Sequence, residues 1–490
     1  MNKKIVSLLC VVFSLIAASC IKDPIPVPSN PTAPATGILV SVNDSAAYTC
    51  REFADAVGNC AMFSSLGEEM GAVSNLITPA IRTLVSARQP ILDAHFANIL
   101  GRGSRQNRQW QLETYSFTYN TISAQGEPIV LSGRVTFPNN TIDSITHVVE
   151  GISIYNHPTL FGMHSAPSES FTLGSMRALY NEAVIETDLQ GFGIDHDVHI
   201  IAPICFQAHG RQIMDCAMAA LEVMQRHNVA LDSAGHTTNW GTSHGTASTL
   251  AFAKHYDVYA TEQQRNALRL EASYVGEGPV DIAAELVYAA QNPEEKILTV
   301  DFMAGISTLS KQQLHGYSSS DLLAPTIYET KVSNFDDTVR LIDALLFGYV
   351  DPRAFVAINS LGFDTMPFMA SDMYDANGNI DLDNAKTQVL VQILREQGNW
   401  DNWTPQTEIY LSHDIDDDFV PYPVFYNLYR SLHSLAPDKV HMFTPRTRLV
   451  ANNPIADNIG THMVLAAEAM VISVMAREPH DVAHFLKSVE

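Results

Sequence analysis

The spacing of apolar residues changes from helical to alternating and back along the chain. Segments 77–85 and 91–100 carry apolar residues at helical spacing and predict helices. Segments 112–119 and 129–137 alternate between apolar and polar residues, which predicts two antiparallel strands. Buried strands and a helix follow at 148–155, 183–187 and 212–226. Strands that alternate with helices after an opening hairpin predict an α/β fold with a mostly parallel sheet and helices on both faces.

The strand and helix pattern is interrupted after residue 279 and resumes near residue 404. Between these positions we predict a helical cap insertion, with helices at 281–291, 336–347 and 383–397. A strand, a helix, a strand and a long apolar helix then follow at 408–412, 424–434, 440–444 and 463–475. The order indicates that one α/β core is divided by the cap.

The composition fits a folded protein and argues against a nucleic-acid partner. Of the 490 residues, 46% are hydrophobic, which supports a large core. The formal net charge is −24, whereas a surface that follows phosphates must be basic. Neither a Cys-x-x-Cys nor a His-Glu-x-x-His pattern occurs. The sequence therefore predicts no metal site and no cofactor.

The N-terminus predicts an export signal rather than a part of the fold. Two lysines precede the apolar run 5–18, which is too short to span a membrane comfortably. Small residues then lead to Cys20, so 1–19 resembles the signal peptide of a bacterial lipoprotein. That resemblance implies a lipidated Cys20 and an anchor in the cell envelope, at the outer membrane or cell surface rather than the inner membrane. An ordinary cleaved signal with an incidental cysteine is the alternative. The proline-rich segment 20–40 predicts an extended tether.

Four further cysteines lie in a chain whose predicted compartment permits disulfides. Cys50 with Cys60 encloses a short loop, and Cys205 with Cys216 is the matching option. If the second pair shares one helix, the two residues are about 16 Å apart and cannot bond. Buried free thiols are the alternative.

A short glycine-flanked run in the middle of the chain carries the strongest chemical signal. Residues 241–245 read Gly-Thr-Ser-His-Gly, which has the form Gly-x-Ser-x-Gly. This form is needed where a strand turns sharply into a helix and exposes a serine hydroxyl at the bend. The small residues of 247–253 predict a helix that lies close to the sheet. The run therefore predicts a nucleophilic Ser243, and a turn with a structural serine is the alternative.

A serine nucleophile needs a base within hydrogen-bond reach, and the base needs an acid that fixes its tautomer. Acidic residues follow the late strand at 408–412, and His462 lies just before the last helix. The order serine, acid, histidine is that of the α/β-hydrolases. Asp417 is the preferred acid, with Asp416 and Asp418 as alternatives. A solvated acidic loop and a structural histidine remain open interpretations.

Roughly 112–275 and 405–475 resemble the α/β-hydrolase fold, and in particular its capped, secreted lipases and esterases, which include the fungal secretory lipases. The resemblance is carried by His157-Pro158-Thr159, by Gly191-Phe192-Gly193, and by Asp417-Asp418-Phe419-Val420-Pro421. It implies Ser243 as nucleophile, Asp417 as acid and His462 as base. It also implies an oxyanion hole made by the backbone N–H groups of Thr159 and His244.

Three positions depart from the pattern of that family. Pro158 stands where glycine is usual, and proline has no N–H to donate. The strand before the serine, 236–240, is polar for the centre of a parallel sheet. Thr242 stands where an aromatic residue is common. These departures bear on the second oxyanion donor and on the packing beneath Ser243.

The sequence predicts a lipid-anchored serine hydrolase that cleaves carboxylic esters, of small molecules or lipids, through an acyl-enzyme. A serine peptidase on the same fold is an alternative, because a triad does not distinguish ester from amide. A surface-binding lipoprotein with a degenerate hydrolase body is another. The predicted segments are a signal peptide at 1–19, a tether at 20–40, a helical segment packed on the core at 41–111, the first part of the core at 112–279, the cap at 280–403 and the second part of the core at 404–490.

Overall fold

A computed structural model describes most of the chain, and all described residues fall within the unit Pro34–Glu490. They are residues 38–59, 67–100, 110–140, 145–158, 160, 165–195, 205–293, 316–325, 331–334, 337–340, 369–398, 400, 403–417, 420–444 and 461–483. The predicted signal peptide 1–19 and Cys20 lie outside the described residues, as do Cys60, Thr159 and Asp418. Within the described part, no helix is both long and apolar enough to cross a membrane.

A mostly parallel nine-stranded sheet lies at the centre of the unit. The described strands of the unit, nine of which form this sheet, are in chain order β1 Leu39–Tyr48, β2 Trp110–Ile122, β3 Pro128–Asn140, β4 His147–Val149, β5 Gly151–Asn156, β6 Glu182–Thr187, β7 Val229–Leu231, β8 Thr237–Thr242, β9 Leu270–Gly276, β10 Lys331–Asn334, β11 Asp337–Arg340, β12 Glu408–Ser412 and β13 Val440–Phe443. The sheet has the order β1-β2-β3-β6-β5-β8-β9-β12-β13. The first four strands in this order pair antiparallel, and all pairs from β6 to β13 are parallel.

Most helices of the core lie where the sequence predicted them, but one continuous helix, Gly67–Leu100, replaces the two predicted at 77–85 and 91–100. They are α1 Cys50–Gly58, α2 Gly67–Leu100, α3 Phe206–Arg226, α4 His244–Tyr259, α5 Glu262–Leu268, α6 Ile282–Gln291, α7 Ser319–Leu322, α8 Ala385–Gln397, α9 Tyr422–Leu435 and α10 Thr461–Met475. Helix α3 buries Ile213, Ala217, Ala220 and Met224, which recur at helical spacing along one side. Two predicted cap helices, at 281–291 and 383–397, correspond to α6 and α8.

The helices cover both faces of the sheet because neighbouring strand residues point in opposite directions. On one face α1, α2 and α10 pack with Trp240 and Tyr274. On the other face α4, α6, α8 and α9 share a core with Val275 and Ile409. Helix α3 packs on this second face over the antiparallel strands and β5. The helix after Ser243 and the helix that carries His462 therefore lie on opposite faces.

The polar central strand β8 is stabilised by side-chain hydrogen bonds across the sheet. The amide of Asn239 donates to the Thr249 carbonyl and to Ser273 Oγ, each at 3.0 Å, and accepts from Asn156 at 2.8 Å. Thr238 Oγ1 accepts from the Trp240 indole at 2.7 Å. Buried polar groups cost little once they are paired, so this strand can be polar at the centre of the sheet.

Two sequence predictions of helix are wrong. The segment 41–111 begins with β1, which pairs antiparallel with β2 from Leu39 to Tyr48, so it is not wholly helical. The predicted helix 336–347 begins instead with β11, which pairs with β10 as a hairpin, and 341–347 lies outside the described residues. The β-branched pair Thr338 and Val339 favours a strand, and helical spacing over so short a segment was a weaker signal.

The cysteine alternatives are partly resolved by helix α3. Cys205 immediately precedes its first residue and Cys216 lies within it. Eleven helical steps separate the two by about 16 Å, so they do not bond to each other. The pairing of Cys50 with Cys60 stays a prediction, because Cys60 lies outside the described residues.

Candidate active site

Ser243 lies at the sharp turn between β8 and α4, with φ 52° and ψ −128°. A positive φ is uncommon for a residue with a side chain, and it aims the hydroxyl out of the bend. A Cβ on Gly241 would collide with the Gly245 carbonyl, and a Cβ on Gly245 would collide with the Asn156 carbonyl. Both glycines of the motif are therefore required by close backbone packing, as the sequence predicted.

The three residues predicted to form a triad meet at the carboxyl edge of the parallel sheet. Ser243 Oγ lies 3.1 Å from His462 Nε2. His462 Nδ1 lies 2.9 Å from Asp417 Oδ2. Because Nδ1–H donates to the carboxylate, Nε2 is left as the acceptor for the serine proton. The three side chains therefore form one hydrogen-bonded chain, the geometry that a serine nucleophile needs from its base and acid.

The acid loop after β12 selects Asp417 over its described neighbour Asp416. The Asp417 side chain is fully buried and also accepts from the Val420 amide at 3.0 Å, whereas Asp416 is exposed. Burial by itself would raise the pKa of Asp417, but the charge and hydrogen bond of His462 hold it at about 2. Asp417 therefore stays ionised at neutral pH, as an acid that supports a base must.

His462 is the second residue of α10, whose far end is held by a fully buried arginine. The Arg177 guanidinium donates to the carbonyls of Ser473, Ala476 and Arg477 at 2.7, 2.8 and 2.7 Å. It also pairs with Glu182 at 3.2 Å and lies 3.9 Å from the Trp240 ring centroid. These contacts join the C-terminal end of α10 to β8, the strand that ends just before Ser243.

One of the two predicted oxyanion donors can be placed. His244 is the first residue of α4, and amide hydrogens at a helix N-terminus point out of the helix. Thr159 lies outside the described residues. Two of the motifs that carry the resemblance are in contact, because the rings of His157 and Phe192 lie edge to face at 5.8 Å. The oxyanion roles of Thr159 and His244 stay predictions.

A second buried polar group adjoins the acid. Glu277, His413 and Asp417 place one ligand atom each within 4.8 Å of one another, the closest approach to a metal site among the described residues. Glu277 Oε2 accepts from the Asp414 amide at 2.9 Å, and His413 Nε2 lies 3.0 Å from the Val420 carbonyl. Because these atoms already have protein partners, the group fits a hydrogen-bonded support for the acid loop.

Sequence reasoning missed Arg177, Glu277 and His413. The signal for Glu277 was present, since it stands between two glycines directly after a buried strand, where loops at a sheet edge carry chemistry. His413 was visible as the residue after β12. Arg177 had no local signal, because its partners lie about 300 positions away along the chain.

Comparison with solved structures identifies the fold. A rice cell wall degrading esterase, LipA, from Xanthomonas oryzae superposes with a TM-score of 0.61 and 15% identity, over 93% of this chain and 100% of that chain. A candidate hydrolase from Legionella pneumophila superposes with a TM-score of 0.51 and 16% identity, over 79% of this chain and 91% of that chain. The protein has the α/β-hydrolase fold.

The predicted fold class is therefore confirmed, and so is the resemblance on which it was based. No known protein family matches the sequence, and no curated protein matches it. At these identities the α/β-hydrolase likeness shows the fold alone. The chemistry has to be argued from the residues of the site.

Proposed function

We propose that the protein is a serine hydrolase that cleaves carboxylic esters through an acyl-enzyme. The observation that carries the proposal is the continuous chain from Ser243 to His462 to Asp417, at 3.1 and 2.9 Å, on a strained strand-to-helix turn. Ser243 is half-buried at one end of these hydrogen bonds, where a substrate can reach it, and the Asp417 side chain is fully buried at the other end. The likeness of the fold to the Xanthomonas oryzae esterase supports an ester rather than an amide as substrate.

In the proposed mechanism His462 Nε2 takes the proton of Ser243 as the hydroxyl oxygen attacks the ester carbonyl. Asp417 stays ionised and stabilises the imidazolium that forms. The negative charge that develops on the carbonyl oxygen faces the N-terminus of α4, where the His244 amide would donate, worth about 3–4 kcal/mol. His462 then protonates the leaving alcohol, and water hydrolyses the acyl-enzyme by the same route in reverse.

The cap bears on which ester enters the site. Helices α6 and α8 share one apolar core with α4 and α9, the helices that follow Ser243 and the acid loop. We propose that this part of the chain forms the wall of the substrate pocket and limits water access to the acyl-enzyme. The predicted cap boundaries, 280–403, remain part of the proposal.

The test compares Ser243→Ala with Ser248→Ala, a control serine five positions further along the chain, in α4. With p-nitrophenyl esters of graded acyl length, Ser243→Ala should lower kcat by about 10⁴–10⁶-fold. Ser248→Ala should keep most of the turnover, although it loses a 3.1 Å contact with His209. A fluorophosphonate probe should label the folded wild-type protein and not Ser243→Ala. Equal turnover by Ser243→Ala would show that another residue is the nucleophile.

The same panel separates the alternatives. Aminoacyl p-nitroanilides cleaved faster than the esters would favour a peptidase. A folded protein that neither turns over esters nor reacts with the probe would favour a non-catalytic binding protein. Turnover should survive prolonged treatment with EDTA, because no step of the mechanism uses a metal.

We further propose that the enzyme is anchored at the cell envelope through Cys20. The support is the leader sequence, in which a basic start, an apolar run and small residues precede the cysteine. Metabolic labelling with a palmitate analogue should mark the wild-type protein and not Cys20→Ser. Labelling of both would show that the lipid is attached to another residue.

A further inference from the structure

A second imidazole lies beside the acid of the site. His413 is fully buried, and its Nε2 is 3.0 Å from the Val420 carbonyl and 3.9 Å from Asp417 Oδ2. Its ring stacks on Phe425 with centroids 4.4 Å apart. A carbonyl oxygen can only accept, so Nε2 carries a proton and donates to Val420. Nδ1 is then the unprotonated nitrogen in the neutral ring.

The unprotonated nitrogen of His413 faces a buried carboxyl group. Nδ1 has no hydrogen-bond partner among the described residues, and Glu277 Oε2 lies 3.6 Å from it. Burial and the neighbouring charge of Asp417 raise the pKa of Glu277 well above its usual range. Burial lowers the pKa of His413. These two shifts of pKa favour the uncharged form of each group.

Glu277 also joins the two loops that carry the nucleophile and the acid. It adopts a φ of 48°, which costs about 1–3 kcal/mol for a residue other than glycine. Its backbone N–H donates to the Ser412 carbonyl at 2.9 Å, and its carbonyl accepts from the Ser243 amide at 3.0 Å. Its side chain accepts from the Asp414 amide at 2.9 Å. The strained backbone persists because three contacts determine it.

We propose that Glu277 and His413, both uncharged, are positioning residues, which hold Asp417 against His462 through their hydrogen bonds with the Asp414 amide and the Val420 carbonyl. The proposal rests on the ester hydrolysis proposed above and adds two residues that fix the position of Asp417. Neutrality matters because an imidazolium at 3.9 Å would compete with His462 for the Asp417 carboxylate. A neutral pair fixes the loop and leaves the full negative charge of the acid for the base.

The first test compares Glu277→Gln with Glu277→Ala in ester turnover. Glutamine keeps an acceptor for the Asp414 amide and an N–H for His413 Nδ1, so kcat should stay within about threefold of wild type. Alanine removes both contacts, and loss of the acid's position should lower kcat by about 100-fold with little change in KM. Glu186→Gln is the matched control, a buried acid on β6 that accepts from Thr172 and Ser175 instead. It should leave kcat unchanged.

Two results would overturn the proposal. Wild-type kcat in Glu277→Ala would show that the acid needs no support from this residue. Equal losses in Glu277→Gln and Glu277→Ala would show that an ionised carboxylate, and not a neutral pair, is required. If Glu277→Ala does not fold, His413→Phe replaces it, because phenylalanine keeps the stacking on Phe425 and removes both ring nitrogens. That variant should lose at least about tenfold in kcat, and wild-type kcat would equally overturn the proposal.

A measurement without substrate separates this proposal from the proposed function. A proton shared between His462 Nδ1 and Asp417 resonates at low field in the proton NMR spectrum. The resonance should be present in wild type and Glu277→Gln and should shift or broaden away in Glu277→Ala or His413→Phe. Failure of the wild type to cleave any ester would count against the hydrolase alone. An unchanged resonance in all variants would count against the positioning role alone.

Discussion

Replacing Arg177 by methionine should destabilise the protein strongly without touching the reacting groups. The guanidinium is fully buried and is the donor to three carbonyls at the end of α10. Two of those carbonyls, on Ser473 and Ala476, lie in buried surroundings. Methionine fills much of the volume but donates nothing, so these carbonyls lose the arginine donor, and the Glu182 carboxyl loses its ion pair but keeps the hydrogen bond from the Ser153 hydroxyl.

The cost follows from the groups that are left unpaired. Removing one partner of a buried pair costs about 3–5 kcal/mol, because the other charge stays uncompensated. Glu182 can reduce that cost by taking up a proton, since burial already raises its pKa and Arg177 opposes the rise. The carbonyls left without a donor add about 1–3 kcal/mol each to the loss of stability where water cannot reach them. We therefore expect a loss of at least about 4 kcal/mol in the free energy of unfolding.

Urea unfolding followed by tryptophan fluorescence measures this loss as a shift of the midpoint at constant slope. Arg226→Met is the matched control, because Arg226 pairs with Glu222 on the surface of α3 at 2.6 Å. Its side chain is 52% exposed, so that pair should contribute less than about 1 kcal/mol.

Equal midpoints for Arg177→Met and Arg226→Met would refute the reasoning. A double-mutant cycle gives a second check. Adding Glu182→Gln to Arg177→Met should recover part of the loss, because the uncompensated carboxyl is then removed. Full additivity of the two substitutions would mean that the 3.2 Å ion pair contributes nothing to stability.

Three further predictions concern the turn at Ser243, the carboxylate of Asp417 and the cysteines. Gly241→Ala should yield little folded or active protein, because its Cβ would collide with the Gly245 carbonyl; normal esterase activity in a soluble variant would contradict this. The folded pKa of Asp417 is about 2, below the unfolded value of about 3.9. Its contribution to stability should therefore be complete above pH about 4 and disappear as the pH falls through about 2, so acid unfolding of wild type and Asp417→Asn should converge only there. Peptide mapping without reduction should find no bond between Cys205 and Cys216, which helix geometry holds about 16 Å apart.

The accuracy of the sequence predictions depended on how local each signal was. Strands β2, β3, β5, β6, β12 and β13 were predicted from alternation or from buried apolar runs. Strand β8 was inferred from its place before the Gly-x-Ser-x-Gly run, and β9 was not predicted. The edge strand β1 was missed because pairing along one edge leaves most of its side chains exposed. The hairpin at β10 and β11 was missed because four-residue strands are too short to show a period.

The turn at Ser243 was predicted from the sequence through its two glycines. The collision that requires Gly241 is local, with the Gly245 carbonyl, whereas the one that requires Gly245 is with the Asn156 carbonyl of β5 and depends on the sheet. The choice of His462 and of the loop after β12 as candidates followed from chain order on that fold. The tertiary structure decided which carboxylate faces His462. It also brought Glu277 and His413 to Asp417, and Arg177 to the C-terminal end of α10. Those contacts join residues far apart along the chain, and their strength comes from exclusion of water, which only the folded packing creates.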